Sequence, residues 1–192
     1  DLMDSADGNE EKAKTMAARM NLSDKIYAHP YDLSGGELQR AAIGNLLLRD
    51  ADILLLDEPT KGLDAVVRNQ VYDTFCMVRD QYRVGFIVIT HDLLLARKFC
   101  ERIVVMYCGR VLETNAAREL FEHPRHPYTQ GLIASLPHLG MKPMAGFSPA
   151  FTDQPSGCVF HPRCPYAEAR CRHTEPKSIP CGEGSVCCHR YA

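Results

Sequence analysis

Two acids stand together at Asp57-Glu58, directly behind the apolar run Ile53-Leu54-Leu55-Leu56. Such a run reads as a fully buried strand of a parallel sheet, and open α/β sheets bind ligands at the carboxyl ends of their strands. Adjacent carboxyls placed there suit phosphate chemistry. One can hold Mg²⁺ through retained waters, and the other can polarise an attacking water. The plain alternative is two solvated acids closing a strand. Ile89-Thr90-His91-Asp92 ends a second β-rich run, 84–90. His91 falls beside Asp57 and Glu58 if the two strands are parallel neighbours; alone it reads as a structural histidine. Upstream, Leu33-Ser34-Gly35-Gly36-Glu37 opens a helix. Its glycines let backbone N–H groups approach a phosphate, the helix N-terminus favours negative charge, and Ser34 adds a hydroxyl. By itself the same pattern is an ordinary Gly-Gly turn.

A second concentration of chemistry lies at the other end. Of nine cysteines, Cys158, Cys164, Cys171, Cys181, Cys187 and Cys188 fall within the last 35 residues. Cys76, Cys100 and Cys108 sit among apolar residues and read as inert buried thiols. Four of the tail cysteines, Cys158, Cys164, Cys171 and Cys188, have the spacing C-x5-C-x6-C-x16-C. In a reducing compartment four thiolates suggest a metal centre more than disulfides. Zinc prefers tetrahedral thiolate sites, often built on closer pairs, and iron–sulfur clusters take four thiolates at varied spacing. Spacing alone does not choose between these and reduced thiols.

The elements that must position these residues alternate. Helices are expected over 10–20, 36–49, 64–80, 92–99, 116–121 and 128–136, and strands over 52–57, 84–90, 102–107 and 110–113. The order implies an α/β domain with a mostly parallel sheet, followed by a small Cys-rich extension. The break at His123-Pro124-Arg125-His126-Pro127 divides the chain into domains 1–122 and 123–192, with a Pro/Gly/Ser-rich linker over 137–157. Hydrophobic residues make up 45% and the net charge is −2, so a core is affordable and nothing pulls the chain towards nucleic acid. Arg163, Arg170 and Arg172 are interrupted by Glu168 rather than forming a basic stripe. No apolar stretch approaches the roughly 20 residues that span a bilayer, and no signal segment follows Asp1, so any membrane association is expected to come through a partner.

Taken in order, Leu-Ser-Gly-Gly-Glu-Leu-Gln-Arg, Leu-Leu-Leu-Asp-Glu-Pro-Thr, Gly-Leu-Asp and Ile-Thr-His-Asp resemble the ABC ATPase family, from Tyr31 to about Glu113. The resemblance implies a partial P-loop NTPase domain working with ATP and Mg²⁺. Ser34, Gly35 and Gly36 then match the signature that binds the γ-phosphate held by the opposite subunit of a dimer. Asp57 matches the Walker B aspartate, Glu58 the general base, Asp64 the aspartate of the loop that communicates across the dimer, and His91 the switch histidine. Glu37 stands where Gln is commoner. The pattern G-x-x-x-x-G-K-[ST] is absent: none of Lys12, Lys14, Lys25, Lys61, Lys98, Lys142 or Lys177 follows a glycine, and only 33 residues precede Ser34. No convincing glutamine loop is present either. A chain truncated upstream is the expectation, with weak ATP binding and no hydrolysis by these residues alone.

His123-Pro124-Arg125-His126-Pro127-Tyr128-Thr129-Gln130-Gly131-Leu132 resembles the C-terminal extension of oligopeptide, dipeptide and nickel importer ATPases. That resemblance implies an ATPase subunit for oligopeptide or dipeptide uptake, with nickel or other small solutes as the alternative cargo. It also implies a second ATPase subunit, two membrane permease subunits and an extracytoplasmic substrate-binding protein as partners, at the cytoplasmic face of the membrane. Some members hold a [4Fe–4S] cluster in the tail, which makes Cys158, Cys164, Cys171 and Cys188 its candidate ligands, with zinc as alternative and Cys181 and Cys187 outside the pattern. The rival readings are a non-transport ABC ATPase and a metal-binding interaction module without catalysis. Intact Asp57, Glu58 and His91 speak against the latter.

Overall fold

Local chemistry sets where the elements begin. In the computed structural model, which describes residues 10–49, 51–150 and 152–192, helix α1 (Glu10–Arg19) opens on two glutamates and closes on an arginine, each sign favourable to the helix dipole. Helix α2 (Gly35–Leu47) starts from a capping box at Ser34 and Glu37. Strand β1 (Ile53–Asp57) leads to helix α3 (Ala65–Tyr82), whose N-cap is Asp64 and which stops at Arg83 in the left-handed conformation (φ 52°). Strand β2 (Gly85–Ile89) and helix α4 (Leu93–Phe99) follow, and the Asp92 carboxyl caps α4 by accepting from the amides of Leu94 and Leu95.

The chain forms two compact units, one up to Leu95 and one from Ala96 to Ala192. In the first, β1 and β2 pair in parallel with Asp57 opposite Ile89. Phe75 of α3 meets Phe86 of β2 at a ring separation of 6.1 Å, on the face that buries Leu54 and Leu56. The opposite face is bare. Ile53, Leu55, Ile87 and Ile89 are 61, 64, 54 and 53% exposed. This corrects the expectation of two fully buried strands: among the described residues a helix layer covers one face of the pair and none covers the other.

The second unit is built on antiparallel pairing. Strands β3 (Arg102–Tyr107) and β4 (Arg110–Ala116) form a hairpin turning at Cys108 and Gly109, both at positive φ (48° and 75°), the backbone that a two-residue hairpin loop requires. Helices α5 (Ala117–Glu122) and α6 (Pro127–Ala134) follow. Two short strands of the tail, β5 (Ile179–Cys181) and β6 (Gly184–Val186), complete a sheet of order β3-β4-β6-β5. Val186 pairs with Glu113 and Ser185 with Thr114. Residues on both sides of position 122 thus share one sheet, and among the described residues the parallel pairing expected of the α/β chain is confined to β1 and β2. Cys76, Cys100 and Cys108, expected to be buried, are half-buried.

Candidate functional site

Parallel pairing brings the first set of predicted residues together. The Glu58 amide donates to the carbonyl of Ile89 at 2.8 Å, carrying the ladder one residue past β1. Glu58 itself sits at φ 47°, which swings its carboxyl towards the end of β2. There Oε1 accepts from the His91 amide at 3.1 Å and lies 3.4 Å from His91 Nε2. The His91 ring is 99% exposed while Glu58 is 26% exposed, so the carboxyl is held by the backbone and the imidazole stands free in solvent. A side-chain contact this exposed adds little stability. Asp57, beside Glu58 at the strand end, is exposed.

Ser34, Gly35, Gly36 and Asp64 form a second group. Ser34 Oγ accepts from the Glu37 amide at 3.4 Å, and the Glu37 carboxyl accepts from the Ser34 amide at 2.8 Å. Hydrogen bonds from Ser34, first from its side chain and then from its backbone, hold the Glu37 carboxyl below the usual carboxylate range. The Asp64 carboxyl accepts from the amides of Val66 and Val67, both at 2.9 Å. The glycines also serve packing. A Cβ at Gly36 would stand 2.5 Å from Val67 Cγ1 of α3, and one at Gly35 would stand 3.2 Å from Leu63 Cδ2. Glycine is therefore what lets the N-terminus of α2, with its unpaired amides, lie against the start of α3. Among the described residues no hydrogen bond or ion pair joins this group to Glu58 and His91.

The tail folds around a cavity. Cys158, Cys164, Cys171 and Cys188 all line it, with Phe160 and His126 among the other walls, and its empty volume including the open mouth is about 360 Å³. Cys181 and Cys187 are not among the lining residues. Backbone bonds draw these segments together: the Cys158 amide donates to the Cys171 carbonyl at 2.9 Å, and the Cys164 amide to the His161 carbonyl at 3.3 Å. Gly157, at φ 70°, permits the approach, since a Cβ there would lie 2.5 Å from the Cys171 carbonyl oxygen. Burial, with smaller contributions from the neighbouring thiols, pushes the Cys158, Cys164 and Cys188 thiols up. Arg190 and Arg170 pull Cys188 the other way. Among the described residues no three His, Cys, Asp or Glu side chains meet at the spacing of a metal site; the four thiols share a cavity without converging on one point. As a donor set, four thiols in one cavity fit a group held by several sulfurs.

Residues that sequence reasoning did not single out join this cavity to the His-Pro-Tyr turn. Glu113 of β4 is fully buried, and its two carboxyl oxygens accept from the amides of Arg125 and His126, each at 2.9 Å. His126 Nδ1 in turn accepts from the Tyr128 amide at 3.0 Å and caps α6. Burial holds the His126 imidazole well below its usual range, at about 4. Phe160 stands between the rings of Tyr107, Tyr128 and His126 at 5.4 to 5.7 Å. The tail reaches the turn again where the Tyr191 hydroxyl donates to the Arg125 carbonyl at 3.1 Å.

Comparison with known proteins assigns both regions. Residues 4–61 match the family described as ABC transporter, and residues 112–171 match the family described as oligopeptide/dipeptide transporter, C-terminal region. The dipeptide transport ATP-binding protein DppD of Haemophilus influenzae is 38% identical over 86% of this chain and 52% of its own length. DppD of Caldanaerobacter subterraneus subsp. tengcongensis is 37% identical over 94% of this chain and 58% of its own. The di/tripeptide transport ATP-binding protein DppF of Pseudomonas aeruginosa is 34% identical, with 93% and 58% covered. The chain thus spans a little over half the length of these curated relatives. Its fold is similar to that of a solved ATP-binding cassette of an ABC transporter, with a TM-score of 0.54 at 20% identity, over 59% of this chain and 46% of the other. The chain is thus similar to ABC transporter ATP-binding proteins, and residues 112–171 to the oligopeptide/dipeptide transporter C-terminal region.

Proposed function

We propose that this chain is part of an ATP-hydrolysing subunit that powers an ABC importer of dipeptides or oligopeptides. The observation that carries the reading is the meeting of Glu58 with His91 at the carboxyl ends of two parallel strands. The exposed Asp57 beside them has the chemistry to hold Mg²⁺ through waters, and that ion would neutralise charge on the β- and γ-phosphates. Glu58, fixed by the His91 amide, orients a water for attack on the γ-phosphate, and His91 offers a donor to the same phosphate. Ser34, Gly35 and Gly36 present the hydroxyl and free amides of α2 to the nucleotide held by a second ATPase subunit. Their separation from Glu58 and His91 supports a site completed by two subunits, with Asp64 beside the contact between α2 and α3. The transport names of the relatives support peptides as cargo, and with them two permease subunits and an extracytoplasmic binding protein as partners. Among the described residues no helix is long and apolar enough to cross a membrane, which suits a subunit held at the cytoplasmic face through permeases. In the assembled transporter Glu58→Gln should retain ATP and lose turnover; undiminished turnover would refute the assignment of Glu58 as the base.

We further propose that Cys158, Cys164, Cys171 and Cys188 hold a [4Fe–4S] cluster, with zinc as the competing occupant. The support is that these four cysteines line one cavity that Cys181 and Cys187 do not. When bound, the cluster supplies a cross-link for the tail and a redox-active centre. Burial pushes the Cys158, Cys164 and Cys188 thiols up, and a metal binds the thiolate, so loading must release protons. Reconstitution under anaerobic conditions should give iron and labile sulfide with visible absorbance. Serine at any of the four cysteines should abolish it, and serine at Cys181 or Cys187 should not. Zinc without sulfide, or no metal at all, overturns the cluster.

A further inference from the structure

The loops that carry Glu58 and His91 leave neighbouring strand ends, and one side chain ties them together. The loop after β1 folds back on itself: the Lys61 amide donates to the Glu58 carbonyl at 3.0 Å, and the Leu63 amide to the Thr60 carbonyl at 3.4 Å. The loop after β2 turns at His91, where the Asp92 amide donates to Thr90 Oγ1 at 2.9 Å. Arg68, in the first turn of α3, reaches both loops. Its Nη2 donates to the Leu63 carbonyl at 3.3 Å, and its Nη1 lies 3.6 Å from Asp92 Oδ2. The two oxygens of Asp92 therefore do different things: Oδ1 caps α4, and Oδ2 faces the arginine. Arg68 is 47% exposed and Asp92 17%, so the pair adds little to stability. What the pair supplies is geometry, because a planar guanidinium holds two acceptors at a fixed separation and the point charge of a lysine does not. His91 depends on such support. Its ring is 99% exposed, so the backbone on either side sets its direction.

We propose that Arg68 is a positioning residue for the hydrolysis proposed above, holding the loop after β1 and the loop after β2 at the spacing that keeps His91 against Glu58. This rests on the reading of Glu58 and His91 as the hydrolytic pair. Without the arginine, Asp92 keeps its cap on α4 and the buried face of the strands keeps its packing. The turn at His91 loses its tie to the other loop, and the imidazole spends less time where the γ-phosphate reacts.

The test is Arg68→Gln in the assembled transporter, with Arg68→Lys beside it. The kcat for ATP hydrolysis should fall about 2- to 30-fold with KM for ATP unchanged, the mark of an interaction used in the transition state and not in binding. Lysine should recover only part of the loss, since it keeps the charge without the fork. Asp92→Asn keeps an oxygen to cap α4, should lower kcat in the same way, and should add no further loss to Arg68→Gln. Wild-type kcat in Arg68→Gln, full recovery with lysine, or losses that simply add in the double variant overturn the inference. So does a lowered melting temperature with kcat intact, which is what a purely structural ion pair gives. Should Arg68→Gln not assemble, Asp92→Asn decides by the same split between kcat and KM. Undiminished turnover in Glu58→Gln removes the reading of the hydrolytic pair and this inference with it, whereas an inactive Glu58→Gln beside a fully active Arg68→Gln removes the inference alone.

Discussion

Replacing Glu113 with alanine removes the hydrogen-bond partner of two amides at once, the part-buried one of Arg125 and the buried one of His126. A buried donor left unpaired costs about 1–3 kcal/mol, so the pair should cost about 2–6 kcal/mol before any cavity term is added. A domain of this size is stable by only about 5–15 kcal/mol, so the change threatens the whole second unit. Glutamine at the same position keeps one oxygen for one amide but sets an NH₂ against the other, and should cost about half as much. The chain has no tryptophan, so urea unfolding is best followed by circular dichroism, with hydrogen exchange at residues 125 and 126 as the local readout. Glu113→Ala should lower the midpoint steeply and expose both amides to exchange, with Glu113→Gln between it and wild type. A loss below about 1 kcal/mol for alanine, or continued protection of both amides, would refute the idea that this carboxyl clamps the turn.

Gly36→Ala gains about 1 kcal/mol of helix propensity but drives a methyl into Val67, an overpacking cost of about 1–3 kcal/mol. The net should be destabilising by up to about 2 kcal/mol, and Val67→Ala in the same chain should recover the loss; no recovery in that double-mutant cycle would place the cost elsewhere. Stability should also depend on pH through His126. Burial depresses its folded pKa from 6.5 to about 4, so the unfolded chain takes up the proton first as pH falls. The stability from keeping the ring neutral is complete above pH 6.5 and is lost, by about 3 kcal/mol, as pH drops to about 4. The difference in unfolding free energy between wild type and His126→Asn should narrow across that window, and parallel curves would show that the ring is not the titrating group.

Where residue identity alone decides the outcome, the sequence was informative. Ser34 and Asp64 cap helices because their short side chains reach the first free amides, and the expected helix starts at 36 and 64 fall at or next to them. Asp57-Glu58 and His91 were legible as strand ends, since parallel strands in register bring their carboxyl ends together. What depends on distant partners was not. An apolar run such as Ile53 to Leu56 reads the same whether one face or both are covered, so the bare face of the parallel pair could not be foreseen. The role of Glu113 was equally hidden, because its partners are amides in a turn far along the chain and nothing in the letters of β4 marks it as buried. The hairpin of β5 and β6 is too short to show a period, and with it went the signal that the tail pairs with β4. Nor could spacing tell Cys188 from Cys187, which follow each other just past β6; only Cys188 lines the cavity.

The positive φ of Glu58 has a consequence for engineering. L-residues with a Cβ adopt the left-handed conformation at a cost of about 1–2 kcal/mol, whereas glycine adopts it freely. A library screened for thermal tolerance alone would therefore favour glycine at position 58 and, in the same step, delete the carboxyl that meets His91. If Glu58 acts as proposed, heat resistance and hydrolysis pull in opposite directions at this one backbone angle, and a stabilised variant should be designed with position 58 held fixed.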